Sequence, residues 1–220
     1  MNGSKCLPAL LLAIVMAACS APANRNSGNA NNAATANAPI STNDSAAAME
    51  GLVKAVSAQM NARSFRARVD STTGNVEAGR DIEYVAPDRF RIKSQDDEYI
   101  IIGNTIWTRQ KDGPWQKQTV DTAQLLASVR DPQMVDQIRK NAEIRFTGPD
   151  TLDGKPMTVY EYTLRKGLRP DMTNNSKVWI SSADNLPRRM QNEVGIGNQI
   201  SKSTITYFDY NTDIKIEPPK

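Results

Sequence analysis

The chain has 220 residues, of which 27 are basic and 24 acidic, with two cysteines and no histidine. The lack of histidine excludes Ser-His-Asp hydrolysis, imidazole acid–base chemistry and His-containing zinc sites. The net charge of +3 comes from cations interleaved with anions, so nucleic acid is not an expected partner.

The first element is a removable signal. Lys5 and the amino terminus precede an apolar run from Leu7 to Ala18, about 12 residues, the usual length of a signal-peptide core. At about 1.5 Å per residue this run reaches about 18 Å, short of a hydrocarbon core of roughly 30 Å. Cys19 closes the run among the small residues Ala17, Ala18 and Ser20. Removal of residues 1–18 takes away Lys5 and Cys6, leaving 26 cations against 24 anions and Cys19 as the sole thiol. A lone cysteine in an exported chain calls for a cap, and two or three acyl chains anchor stably where one does not. Met16-Ala17-Ala18-Cys19 resembles a bacterial lipobox. The resemblance implies cleavage before Cys19 and lipidation of its sulfur by diacylglyceryl, with further acylation such as palmitate on the new amino terminus. No other cofactor is expected. Ser20, a residue other than Asp, implies sorting to the outer membrane, facing the periplasm. An ordinary secretory signal cut elsewhere is the alternative.

Residues 19–45 are expected to be the lipidated cysteine and a tether. Ser20 to Ser45 is almost wholly Ala, Asn, Ser, Thr, Gly and Pro, too poor in apolar side chains to offset the entropy of ordering. As a coil it would reach roughly 25–30 Å. The folded domain is expected over 46–220. Met49, Leu52, Val53, Val56 and Met60 recur at three- and four-residue steps and predict an amphipathic helix, capped by Asp44 or Ser45, with Glu50 four residues before Lys54.

The period then changes to two. Phe65, Ala67 and Val69 alternate with Arg66, Arg68 and Asp70. Thr73-Gly74-Asn75 turns into a strand holding Val76, Ala78, Ile82 and Tyr84, and Pro87-Asp88 turns into Arg89–Lys93. After a turn at Asp96-Asp97, Tyr99–Ile102 is apolar on both faces, as in a covered strand. Gly103-Asn104 is a hairpin signal before Thr105–Arg109, and Asp112-Gly113-Pro114 leads to Trp115–Val120. Asp121 opens a helix with Leu125, Leu126 and Val129 on its apolar side. Pro132 opens a second, with Met134, Val135 and Ile138. Strands follow at Glu143–Phe146, Met157–Arg165, Lys177–Ser181, Arg188–Val194 and Gln199–Tyr210, with a polar loop at Gly167–Asn175 and turns at Asp153-Gly154 and Gly195–Asn198. Ile214 and Ile216 are expected on a last short strand. The total is about 10–11 antiparallel strands whose apolar face only three short helices can cover.

This order of elements resembles the LolA/LolB-like family. The phrases that carry the likeness are Tyr84-Val-Ala-Pro-Asp-Arg-Phe-Arg-Ile92, Ile102-Gly103-Asn-Thr-Ile-Trp107, Asp112-Gly-Pro-Trp-Gln-Lys117, Val178-Trp-Ile180 with Ala183-Asp-Asn-Leu-Pro-Arg188, and Thr206-Tyr-Phe-Asp-Tyr-Asn211. The resemblance implies a mainly β fold with an α lid, a curved antiparallel half-barrel over an apolar cavity. It also implies a monomeric, non-enzymatic envelope protein that binds a lipid or an acylated lipoprotein, in transport or insertion. The family also holds RseB-like sensors that act on a protein partner in the envelope, and a structural lipoprotein with a filled interior is a third reading.

The candidate cavity wall is one alternating set, Phe65, Val69, Ile82, Tyr84, Phe90 and Ile92. The candidate lid is Leu52, Val56 and Met60 with Leu125, Leu126 and Val129. Each of these also fits a filled core. Trp107, Trp115 and Trp179 fit either strand ends and rims or ordinary packing. Other chemistry fails on spacing. Five residues separate Gly148 from Gly154 where a phosphate loop needs four, and Pro156 stands where a hydroxyl is needed. Asp96-Asp97-Glu98 lacks calcium-loop spacing, and no metal site is expected.

Overall fold

The computed structural model describes residues 42–122, 133–164 and 172–220. The Cys19 region, the helix expected from Asp121 and its lid residues Leu125, Leu126 and Val129 lie outside the described residues. Two helices are described, α1 (Thr42–Met60) and α2 (Met134–Asn141). The strands are β1 (Ser64–Thr73), β2 (Val76–Val85), β3 (Arg89–Lys93), β4 (Asp97–Ile102), β5 (Thr105–Gln110), β6 (Gln116–Thr119), β7 (Ala142–Leu152), β8 (Lys155–Leu164), β9 (Met172–Ser181), β10 (Pro187–Ile196) and β11 (Gln199–Phe208).

All eleven strands form one curved, unclosed antiparallel sheet in the order β6-β5-β4-β3-β2-β1-β11-β10-β9-β8-β7. It is two meanders, β1–β6 and β7–β11, joined at the centre by pairing of β1 with β11. Helix α1 packs on β7, β10 and α2, which defines an inner face. There Ala48, Leu52, Val53 and Ala55 of α1 and Ile138 of α2 bury against Ile144, Val178 and Ile180. Gly51 is what lets α1 lie so close. A Cβ on it would stand 2.1 Å from the Tyr160 hydroxyl oxygen.

Alternation in the sequence becomes alternation across the sheet. Phe65, Ala67 and Val69 face inward, and Arg66 and Arg68 face outward, where they pair with Glu83, Asp70 and Asp81. The turns at Gly74, Gly103, Gly154 and Gly197 all have positive φ, which explains glycine at each.

Several boundaries differ from the sequence expectation. Helix α1 begins at Thr42, ahead of Asp44, and Glu50 pairs with Arg139 of α2, a partner that sequence spacing along one helix does not reveal. The stretch Met172–Asn175 is strand rather than loop. Its polar side chains find partners across the sheet, as when Thr163 donates to Asn175 at 2.9 Å. Gly195 and Ile196 belong to β10, leaving Gly197-Asn198 as the turn. Gly195 pairs with Thr173 across the strands, and a Cβ on it would lie 2.6 Å from the Thr173 hydroxyl oxygen. Ile214 and Ile216 are not in a strand. They lie in an irregular segment that crosses the outer face and bury against Ile100, beside Val85, Ile102, Trp107 and Trp115. Arg89 donates to the Ile216 carbonyl at 2.8 Å, fixing that segment to the sheet.

Candidate functional site: the inner face of the half-barrel

The inner face has two zones set by strand register. In the lower zone Phe65 pairs with Tyr84, Tyr84 with Phe90, Phe90 with Ile101, and Ile101 with Ile106. One step along the strands, Ala67 pairs with Ile82 and Ile82 with Ile92. These side chains, with Ile205, form one buried cluster, and Val69, Tyr99, Met190, Tyr207 and Tyr210 pack against it. Tyr84 is fully buried, its ring centroid 5.1 Å from that of Phe65 and 4.9 Å from that of Phe90. Burial pushes the Tyr207 hydroxyl up to about 12, partly offset by a hydrogen bond with the Gln59 side chain of α1. Tyr207 therefore carries no charge at neutral pH.

The upper zone is polar. Ser203 pairs with Asn192, Asn192 with Ser176, and Ser176 with Tyr162. The next row holds Thr73 opposite Ser201, and Val194 opposite Asn174. The Ser176 hydroxyl is shared between Asn192 Oδ1 at 2.9 Å and Asn174 Oδ1 at 3.1 Å, and the Thr73 and Ser201 hydroxyls lie 2.7 Å apart. Asn174 and Ser176 are buried. The two rows just named hold no charged side chain. An inner face that changes from aliphatic and aromatic to hydroxyl and amide along one strand direction is amphipathic along the strands rather than across the sheet.

All six predicted wall residues come together. Phe65, Ile82, Tyr84, Phe90 and Ile92 are in the buried cluster, and Val69 packs against it. Of the described lid residues, Leu52 is buried in the α1 cluster, Val56 packs against it, and Met60 ends α1 half-buried. Trp107 and Trp115 pack on the outer face beside the C-terminal segment. Trp179 is buried with Leu152, Met157 and Val159 and donates to Asp150 Oδ2 at 2.8 Å. The polar zone was open to discovery in the sequence, since Ser71 and Thr73, Asn174 and Ser176, and Ser201 and Ser203 each repeat at the strand period.

The outer face differs in kind. A shallow furrow of about 690 Å³ crosses β7–β11, between a row containing Arg145, Glu161 and Lys177 and a row containing Glu193 and Lys202. Arg145 and Lys177 both pair with Glu161, and Lys202 pairs with Glu193. Walls of ion-paired, solvent-facing side chains suit water better than an acyl chain. Over β1–β5 the charges form a ladder. Asp209 and Glu83 pair with Arg66, Glu83 and Glu98 with Arg91, and Glu98 with Arg109, whose guanidinium lies 4.7 Å over the Trp115 ring.

No family model matches the chain, and no curated protein sequence matches it. Solved structures do. The crystal structure of lipoprotein LppX from Mycobacterium tuberculosis superposes with a TM-score of 0.56 at 14% identity, covering 78% of this chain and 99% of that one. The crystal structure of LprF from Mycobacterium bovis gives 0.56 at 13% identity, covering 80% and 98%. This chain, an unclosed antiparallel half-barrel with helices on its inner face, thus shares its fold with these two mycobacterial proteins.

Proposed function

We propose that the protein is an extracytoplasmic lipoprotein, held to the outer membrane through Cys19. On this reading it takes up the acyl chain of a lipid or acylated lipoprotein on the lower zone of its inner face. The observation that carries the reading is the apolar row from Phe65 through Tyr84, Phe90 and Ile101 to Ile106, on the helix side of a sheet that does not close. Helix α1 packs chiefly on β7 and β10 and reaches the buried row near its end, through Gln59 and Tyr207. Each buried methylene contributes about 0.8 kcal/mol, so a 16-carbon chain gains roughly 12 kcal/mol before ordering costs. That is enough to shield a lipid from water with no bond made or broken, so the role is binding and transfer rather than catalysis. The shared fold with a lipoprotein, LppX, supports the reading.

Native mass spectrometry of the intact chain, extracted from membranes in mild detergent, tests it. The expected result is a Cys19-lipidated protein carrying a second, non-covalent lipid of discrete mass. Cys19→Ala should release the protein from membranes while leaving that lipid in place. An empty protein that also fails to bind a fluorescent fatty acid would overturn the proposal.

A further inference from the structure

The two hairpins at the centre of the sheet end in exposed aliphatic side chains. Val76 follows the Gly74-Asn75 turn of β1–β2 and is 70% exposed. Ile200 follows the Gly197-Asn198 turn of β10–β11 and is 52% exposed. Only four large hydrophobic side chains are exposed to this degree among the described residues, and these are the two most exposed. They belong to one place. Val76 pairs with Thr73, Thr73 with Ser201, and Ile200 precedes Ser201 on β11. Val76 shares the inner face with Thr73 and Ser201, while Ile200, one residue along, projects from the outer face. One exposed aliphatic side chain therefore stands on each face of this edge, with half-buried Ile196 beside it, and the Lys202–Glu193 pair lies one step farther in on the outer face.

The opposite end of the sheet is built differently. Its turns and flanking segments carry Asp88, Asp153, Asp184, Asp209 and Asp213. The β3–β4 and β5–β6 turns, farther round the sheet from the central hairpins, carry Asp96 and Asp112 and stand outside the patch.

The described chain begins at the same end of the sheet as the patch. Helix α1 ends at Met60, near the start of β1, and packs on α2 and on β7, whose first residue, Ala142, lies at the same end of the sheet as Thr73 and Ser201. There Glu50 meets Arg139, close to the start of β7. Only 22 residues separate Cys19 from Thr42. We propose that Val76 and Ile200 dip into the lipid surface to which Cys19 is anchored, and so turn the polar, upper end of the inner face toward the bilayer. The occupant is the interfacial region of a bilayer. Two aliphatic side chains bind it only weakly alone, but a chain already anchored presents them at high local concentration. The patch then sets orientation rather than attachment.

This inference rests on the anchored reading, and the test separates the two. In the mature chain Cys19 is the only native thiol, and acylation removes it, so an introduced cysteine is the only labelling site. Val76→Cys, Ile200→Cys and, at the opposite end, Lys155→Cys each receive an environment-sensitive fluorophore. The intact lipidated chain is then placed in phosphatidylcholine vesicles containing a spin-labelled lipid. The expected result is a blue shift and at least about twofold stronger quenching at positions 76 and 200 than at 155. Equal quenching at all three positions overturns the proposal. If Cys19 itself takes the label, the anchored reading has failed. A Cys19→Ser chain held by its amino terminus to a chelating lipid then tests the tips alone, by the same comparison of quenching. The doubly substituted Val76→Asp, Ile200→Asp chain should melt at an unchanged temperature yet lose the quenching of a label at Gln199. Retention of that quenching also overturns the proposal.

Discussion

Asp150 illustrates how one side chain can be read from its donors. The Trp179 indole N–H and the Thr151 backbone N–H both donate to its carboxylate, at 2.8 Å and 2.7 Å, and hold it below the usual Asp value. A carboxyl with a lowered folded value contributes fully above its unfolded value, and the contribution is lost as pH falls through the folded one. The near-UV signal of Trp179 should therefore stay constant from neutral pH down through the ordinary Asp range and change only below it. Asp150→Asn should remove that acid transition. A transition at the ordinary Asp value would show that the indole contact has no hold on the carboxyl. The group is exposed, so the effect is one of local geometry rather than of global stability. Nothing in the sequence around Asp150 announces this pair, because its partner lies 29 residues away and meets it only through the pairing of β7, β8 and β9.

At the scale of elements, the hairpins were legible and the helices' partners were not. Turn residues such as Gly74, Gly103 and Gly154 fix local backbone geometry and so mark hairpins directly. Burial of Ile214 and Ile216 depends instead on a distant apolar strip on the outer face, which alternation alone reads as one more strand. The six candidate wall residues shared a face as expected, since a two-residue period puts them there. The polar rows above them were missed because serine and asparagine at that period look like a solvated face. The C-terminal segment makes its own prediction. Ile216 is 2% exposed, and Ile216→Ala should cost about 2–5 kcal/mol in urea unfolding and expose Trp107 and Trp115 to aqueous quenchers. A loss under about 0.5 kcal/mol, the range of surface substitutions, would mean that the segment only rests on the sheet.

For the molecule as a whole, the pairing of β1 with β11 matters most. Arg66 faces Phe208 and Thr73 faces Ser201, so the first and last of the described strands make the seam between the two meanders. The lower zone also needs both, since Ile205 of β11 completes the cluster built on Phe65 and Ala67. A chain ending at Asn198 should lack a cooperative thermal transition and leave both meanders with an open inner edge. A sharp transition in that truncated chain would show that one meander folds alone. The same seam orders events in time. A chain that leaves the ribosome or crosses a membrane amino end first presents β1 long before β11 exists. Contacts of such separation form late, because the loop between them must close first. The seam at the centre of the sheet thus waits for the last tenth of the polypeptide, while the hairpins on either side of it need only their sequence neighbours.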